Sequence, residues 1–313
     1  MSVAILFPGQ GSQTVGMGAD LFEARDDLLG DRADEILGFS LRKLCLDGPE
    51  EDLTRTEHAQ PALFALSYAL WEMAGREGAL VAHGAAGHSL GEYTALAAAG
   101  VFDFDSGLAL VASRGRAMGR AAEVEASGMA ALLGADRDMA EEASSARREL
   151  GGRLQVANVN APGQVVVAGG RDDLSWLEAN ASEFGIRRVV PLNVAGAFHS
   201  SFMAPAQSDL TAALNETTLA DPLFPVWSNT TARPHRPGQI GPILTRQLVE
   251  PVLFSDSLLD MAAAGIDTFV HVGPGDVTAG LARRTMGEAT VLVISGIDDI
   301  GSAVEAVVSI DQP

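Results

Sequence analysis

The chain has 313 residues, 47% of them apolar but only 5% aromatic, with 34 glycines, a composition that supplies a large core and excludes a disordered chain. Its formal charge of −20 opposes nonspecific binding to nucleic acid or to an anionic membrane surface, because both partners repel it. The single cysteine, Cys45, excludes an internal disulfide, and no Cys/His pair has zinc spacing, so a reducing compartment without a structural metal is expected.

The amino terminus, MSVAILFPGQG, lacks a basic leader and offers too short an apolar run for a signal peptide. Pro61–Trp71, among the longest apolar stretches, falls below the ~18 residues needed to span a bilayer. A soluble cytoplasmic protein is the expectation.

In chain order, Val3–Phe7 reads as a buried strand entering the glycine-rich loop Pro8–Gly18. Helical patterns follow around Leu21–Phe39 and over Pro61–Met73, with Pro61 suited to a first helical position. Ala85–Gly87 ends a strand, Leu90–Ala99 is a helix, and Gly100 stops it. Ser106–Ala122 forms a further helix. From Gly128 to Val194 the rhythm changes to strand Met129–Leu133, helix Arg137–Leu150, strands Leu154–Asn158 and Val165–Ala168 around the turn Ala161-Pro162-Gly163, helix Asp172–Phe184 and strand Arg187–Val194. That order, βαββαβ, is ferredoxin-like. The predicted fold is therefore α/β, with a large domain over 1–127 and 195–313 and an inserted subdomain over 128–194. In the last part, strands are expected near Pro225–Ser228, Thr268–Val272 and Thr290–Ile294.

The strand-to-helix junction carries Gly87-His88-Ser89-Leu90-Gly91, the G-x-S-x-G pattern of a serine on a tight turn. Such a serine needs a base and donors for an oxyanion. Leu90 offers its N–H from the start of a helix, where the dipole is positive, and Gln10 offers a second from the loop Phe7–Gln13. A dinucleotide fingerprint is the rival reading of that loop, but G-x-G-x-x-G needs glycine where Thr14 stands. Of six histidines, His88 points away from its neighbour Ser89, and His235 and His271 read as structural. His199 stands in a loop of small residues at the return to the large domain, where functional groups gather.

Arg114 falls on the face of its helix shared with Gly107, Leu110, Val111, Ala117, Met118 and Ala121, while Arg116 and Arg120 lie opposite. A buried guanidinium needs an anion: either an internal carboxylate or the carboxylate of a substrate, to which its fork is matched.

Taken together, FPGQGSQ, GHSLGEY, SRGRAM, ANVNAPGQVVVAGG, GAFHSSFM, TRQLVEPV and VGPGDVTAGL, in this order, resemble the malonyl-CoA:acyl carrier protein transacylase family, related to acyltransferase domains of polyketide synthases. The resemblance spans essentially the whole chain. It implies an α/β-hydrolase-like domain with a parallel sheet and an inserted ferredoxin-like subdomain. It also implies a Ser–His dyad of Ser89 and His199, with a backbone carbonyl in Thr245-Arg246-Gln247 orienting the histidine, so that Gln247 is carried over. Gln10 and Leu90 match the oxyanion-hole positions and Arg114 the residue that grips the malonyl carboxylate. Phe198, beside the histidine, resembles the malonyl-selecting pattern, as a wall against a methyl branch. The implied substrates are malonyl-CoA and holo acyl carrier protein, with no further cofactor and no metal, and with the chain acting as a monomer. An acidic carrier is expected to dock on local positive spots, Arg187–Arg188 or Arg283–Arg284. A serine hydrolase and a carrier-docking scaffold without chemistry are the alternatives.

Overall fold

The computed structural model describes residues 2–76 and 80–311. Strand β1 (Val3–Phe7) is buried at every position, as its unbroken apolar run requires of a strand covered on both faces. It pairs in parallel with β2 (Gly84–Gly87) on one side. The other strands in chain order are β3 (Ser127–Leu133), β4 (Gln155–Ala161), β5 (Gln164–Gly170), β6 (Arg188–Pro191), β7 (Thr268–Val272) and β8 (Thr290–Ile294). They divide into a parallel sheet ordered β2-β1-β7-β8 and an antiparallel sheet ordered β4-β5-β3-β6.

The antiparallel sheet has the strand order of a ferredoxin-like unit. Alternation along β3 divides its side chains: Ala130 and Leu132 join Ala140, Ala143 and Leu177 of the two helices, whereas Met129 packs into the core of the larger unit. Irregular pairing between β4 and β5 falls between Val156 and Asn158 and between Val159 and Ala161. Beside it, Val159 N–H donates to Val252 O (2.8 Å) and Val252 N–H to Ala157 O (2.9 Å), tying β4 to the chain just past Gln247.

Four local expectations need correction. The Leu21–Phe39 helix is three short ones, Leu21–Ala24, Asp26–Leu29 and Asp31–Leu37, because Arg25 leaves helical geometry (φ −131°, ψ 42°) and Gly30 is extended in ψ. Pro61 lies inside helix Thr56–Arg76 instead of opening it. The helix starts earlier because Arg55 O accepts from the N–H groups of both His58 (2.9 Å) and Ala59 (2.8 Å). Around Val226 the expected strand is reduced to a bridge with Ala85, since His235 N–H returns to Val226 O (2.8 Å) and the chain turns back. Strand β6 ends at Pro191, not Val194, because Val194 N–H closes a tight turn on Leu192 O (3.0 Å). Among the described residues no helix is long and apolar enough to cross a membrane.

Candidate active site

At the carboxyl end of β2 the chain reverses into helix Gly91–Ala98, and Ser89 sits in the reversal with φ 52°, a left-handed conformation costly for a side chain with a Cβ. Both glycines of the motif are there for close approach. A Cβ on Gly87 would lie 1.9 Å from Gly91 C, and one on Gly91 would lie 2.3 Å from Phe7 O. Asn229 holds the strained turn from outside: its Oδ1 accepts the Ser89 N–H (2.7 Å) and its Nδ2 donates to Gly87 O (2.7 Å).

His199 also has positive φ (56°), which aims its ring from the loop after β6 toward the serine. Its Nε2 is 2.8 Å from Ser89 Oγ and its Nδ1 is 2.7 Å from Gln247 O. A carbonyl only accepts, so Nδ1 carries the proton and Nε2 presents a lone pair to the hydroxyl. Burial, reinforced by the Arg114 charge, pushes the His199 pKa down to about 3. The imidazole is therefore an unprotonated base at neutral pH.

Helix Phe104–Val124 is capped by Asp103, whose Oδ1 accepts the Ser106 N–H (2.9 Å), and it buries the face that carries Arg114 while Arg116 and Arg120 remain exposed. Arg114 is 1% exposed. Among the described residues its hydrogen-bond partners are all neutral: Gln60 Oε1 (2.7 Å), Gln247 Oε1 (3.0 Å) and Ser89 Oγ (3.0 Å). Its guanidinium carbon lies 5.1 Å from the centre of the Tyr93 ring, and its Nε is buried without a partner among those residues. Of the two anions open to it in sequence, an internal carboxylate is absent from these partners.

Ser89, His199, Arg114 and Gln60 line a cavity of about 200 Å³ between the two sheets. Gln10, Leu90 and Phe198 line it too, with Met118 and Met129 at apolar positions. Gln10 Nε2 is tied to Thr56 Oγ1 (3.3 Å), which leaves the backbone of Gln10 as its contribution to the cavity. Leu90 precedes a helix whose first N–H groups are already taken, Gly91 by His88 O (2.9 Å), Glu92 by Ser89 O (3.2 Å) and Tyr93 by Leu90 O (2.9 Å), so it is the Leu90 N–H that this positive helix end offers to an oxyanion. The paired arginines are exposed; Arg284 donates from Nε to Pro162 O (2.9 Å) on the helix whose Val277 and Leu281 line the cavity.

The structure thus brings Ser89, His199, Arg114, Gln247, Gln10, Leu90 and Phe198 around one cavity or its buried wall. Sequence reasoning missed four polar neighbours: Gln60, Glu92, Asn160 and Asn229. Glu92 had a local signal, since it stands three residues after Ser89 on the inner face of the helix and is fully buried. His88 Nε2 donates to Asn160 Oδ1 (2.8 Å), which turns the half-buried His88 ring toward Asn160.

Residues 5–304 match the acyl transferase domain family. A Bacillus subtilis (strain 168) protein named malonyl CoA-acyl carrier protein transacylase is 38% identical over 97% of this chain and 96% of its own length. A second protein of that strain, named polyketide biosynthesis malonyl CoA-acyl carrier protein transacylase, is also 38% identical, over 93% of this chain and 99% of its own. A solved structure described as a type II polyketide synthase acyl-carrier protein in complex with its malonyl-transacylase aligns with 98% of this chain and 100% of that one, at 33% identity and a TM-score of 0.93.

Proposed function

The chain belongs to the malonyl-CoA:acyl carrier protein transacylase family, and on that premise we propose that it passes a malonyl group from malonyl-CoA to the pantetheine thiol of acyl carrier protein by a ping-pong route through Ser89. The observation that carries this reading is the position of Ser89 Oγ, 2.8 Å from the base His199 Nε2 and 3.0 Å from the buried cation Arg114. In a malonyl ester one methylene separates the reacting carbonyl from the carboxylate. An acyl group on this oxygen therefore carries its carboxylate into the reach of a guanidinium whose other partners are neutral.

In the first half-reaction His199 Nε2 takes the hydroxyl proton as Ser89 Oγ attacks the thioester carbon. The N–H groups of Gln10 and Leu90 hold the oxyanion, the C–S bond breaks, and the departing CoA sulfur receives the proton from His199. In the second half His199 takes the proton of the pantetheine thiol, the sulfur attacks the ester carbon, and Ser89 Oγ leaves with that proton. Only a proton and an acyl group move, so the cycle calls for no cofactor. Among the described residues no carboxylate holds the histidine; the Gln247 carbonyl sets its tautomer. The enzyme works as a cytoplasmic monomer, a setting that its lone, fully buried Cys45 suits.

Intact-protein mass after mixing with malonyl-CoA tests the route: a malonyl adduct should form on the wild type, be absent from Ser89→Ala, and discharge to a holo carrier protein as malonyl-carrier. Release of free malonate with no malonyl-carrier product means a hydrolase instead. A panel of fatty-acid and polyketide carriers then ranks the acceptors.

A further inference from the structure

Beneath the dyad lies a buried carboxylate that the reaction as written does not use. Glu92 is 0% exposed, and three donors converge on its two oxygens. Gln247 Nε2 (2.6 Å) and the Asn229 N–H (3.0 Å) donate to Oε2, and His235 Nε2 (2.7 Å) donates to Oε1.

Each of the first two donors leads back to a reacting group. Asn229 is the residue that brackets Ser89 from both sides, through its contacts to the Ser89 N–H and to Gly87 O. Gln247 does more. Its Nε2 also donates to Ser89 O (3.0 Å), its Oε1 accepts from Arg114 (3.0 Å), and its backbone carbonyl holds His199 Nδ1 (2.7 Å). A side-chain amide can be turned either way, but a carboxylate accepts and never donates. Glu92 therefore obliges Gln247 to turn its NH₂ inward, and that leaves the amide oxygen facing the guanidinium. Reversal would set Gln247 Oε1 against both Glu92 Oε2 and Ser89 O, two acceptors, and would point NH₂ at a cation.

We propose that Glu92 is a positioning residue: by locking the amide of Gln247 and the backbone of Asn229, it sets the aim of Arg114 at the substrate carboxylate and supports the strained turn of Ser89. The inference rests on the malonyl-transfer reading above. Glu92→Gln is the informative change. Its amide oxygen can still accept from Asn229 and Gln247, and His235 can switch tautomer to accept from the new NH₂, so packing and the serine turn are kept. What is lost is the charge-assisted part of the lock: Ser89 O and Arg114 still favour the same orientation of the Gln247 amide, but a neutral amide at 92 no longer anchors it through a buried carboxylate.

The readout is the ratio of malonyl to acetyl loading on Ser89, from malonyl-CoA and acetyl-CoA, with thermal melts confirming the fold. Acetyl has no carboxylate for Arg114, so Glu92→Gln should lower the ratio about 10-fold, the effect of losing roughly 1.4 kcal/mol of charge-assisted hydrogen bonding. In an Arg114→Ala background the same change should leave the ratio within about twofold, because residues acting through one another are not additive. An unchanged ratio in folded Glu92→Gln overturns the proposal, and so does an equal effect with and without Arg114. If Glu92→Gln does not fold, Glu92→Asp draws the carboxylate back by one methylene and should lower the ratio in the same direction; an unchanged ratio there also overturns it. A wild type that never loads malonyl defeats the transfer reading instead, so the two failures are distinct.

Discussion

Replacing Arg114 with alanine separates a clamp from a structural cation. In the free enzyme the guanidinium is 1% exposed and its hydrogen-bond partners among the described residues, Gln60, Gln247 and Ser89, carry no charge. On the malonyl-transfer reading, a substrate carboxylate supplies a direct anionic partner. Breaking a buried pair by removing one partner costs about 3–5 kcal/mol. At about 1.4 kcal/mol per tenfold, Arg114→Ala should lower kcat/KM for malonyl-CoA roughly 10²- to 10⁴-fold. Acetyl-CoA brings no carboxylate, and the contact it forfeits is the Arg114 donor at Ser89 Oγ, a single hydrogen bond from a charged group worth about 1.5 kcal/mol at the lower end of its range. Its loss should be smaller than that of malonyl-CoA, roughly tenfold at that energy. Rapid-quench measurement of Ser89 loading with the two donors gives the ratio directly. Equal loss for both would refute the clamp and make Arg114 a structural residue.

The depressed pKa of His199 carries a second prediction. With the imidazole neutral down to about pH 3, Ser89 loading should be flat from about pH 8 to about pH 5, and an inflection near the ordinary histidine value of 6.5 would contradict the burial argument. The linkage has a definite sign: the unfolded chain takes up this proton first, so the stability held above pH 6.5 is lost as pH falls toward about 3, which urea midpoints at two pH values measure. For the carrier, charge reversal at Arg283–Arg284 should raise its KM and weaken the salt dependence of its association, and reversal at Arg187–Arg188 is the comparison; a pair whose reversal leaves both untouched is not the docking site.

The parts of this site that could be read in the sequence are those with a local physical cause. The two glycines around Ser89 are dictated by backbone contacts within a few residues and with the adjacent strand, and the G-x-S-x-G spacing records them. Arg114 was legible because a charge on the apolar face of a 21-residue helix breaks a regular pattern. The alternation of β3 and the order of elements around it carried the antiparallel unit. What stayed hidden is held by contacts between distant segments: Glu92 meets Gln247 across 155 positions and Asn229 across 137. Nothing in the local pattern around Asn229 distinguishes a residue that brackets the nucleophile from one in an ordinary turn. The errors have the same character. The register of Pro61 within its helix depends on Arg55 O collecting two N–H groups upstream, and the reduction of residues 225–228 to two isolated bridges, Val226 with Ala85 and Trp227 with Pro234, depends on His235 returning to Val226.

Selectivity follows from which of these forces a donor engages. On the malonyl-transfer reading, the charge on Arg114 should favour malonyl over acetyl but see malonyl and methylmalonyl alike, since both present the same carboxylate. Discrimination between those two falls to shape, and a pocket wall separates donors differing by one methyl by only about 1–3 kcal/mol, or roughly 10- to 200-fold. The wall is available: Phe198 is 6% exposed and, with Met118, Met129 and Leu192, lines the same cavity as the reacting groups. Phe198 is also next to His199, whose positive φ holds the loop, so a backbone shift at Phe198 would move the base as well. On the malonyl-transfer reading, a methyl branch meets this wall beside His199, and its penalty should appear in the rate of loading as well as in binding. Enlarging the pocket at Phe198 should accordingly admit methylmalonyl-CoA while leaving the preference over acetyl-CoA, which belongs to Arg114, in place.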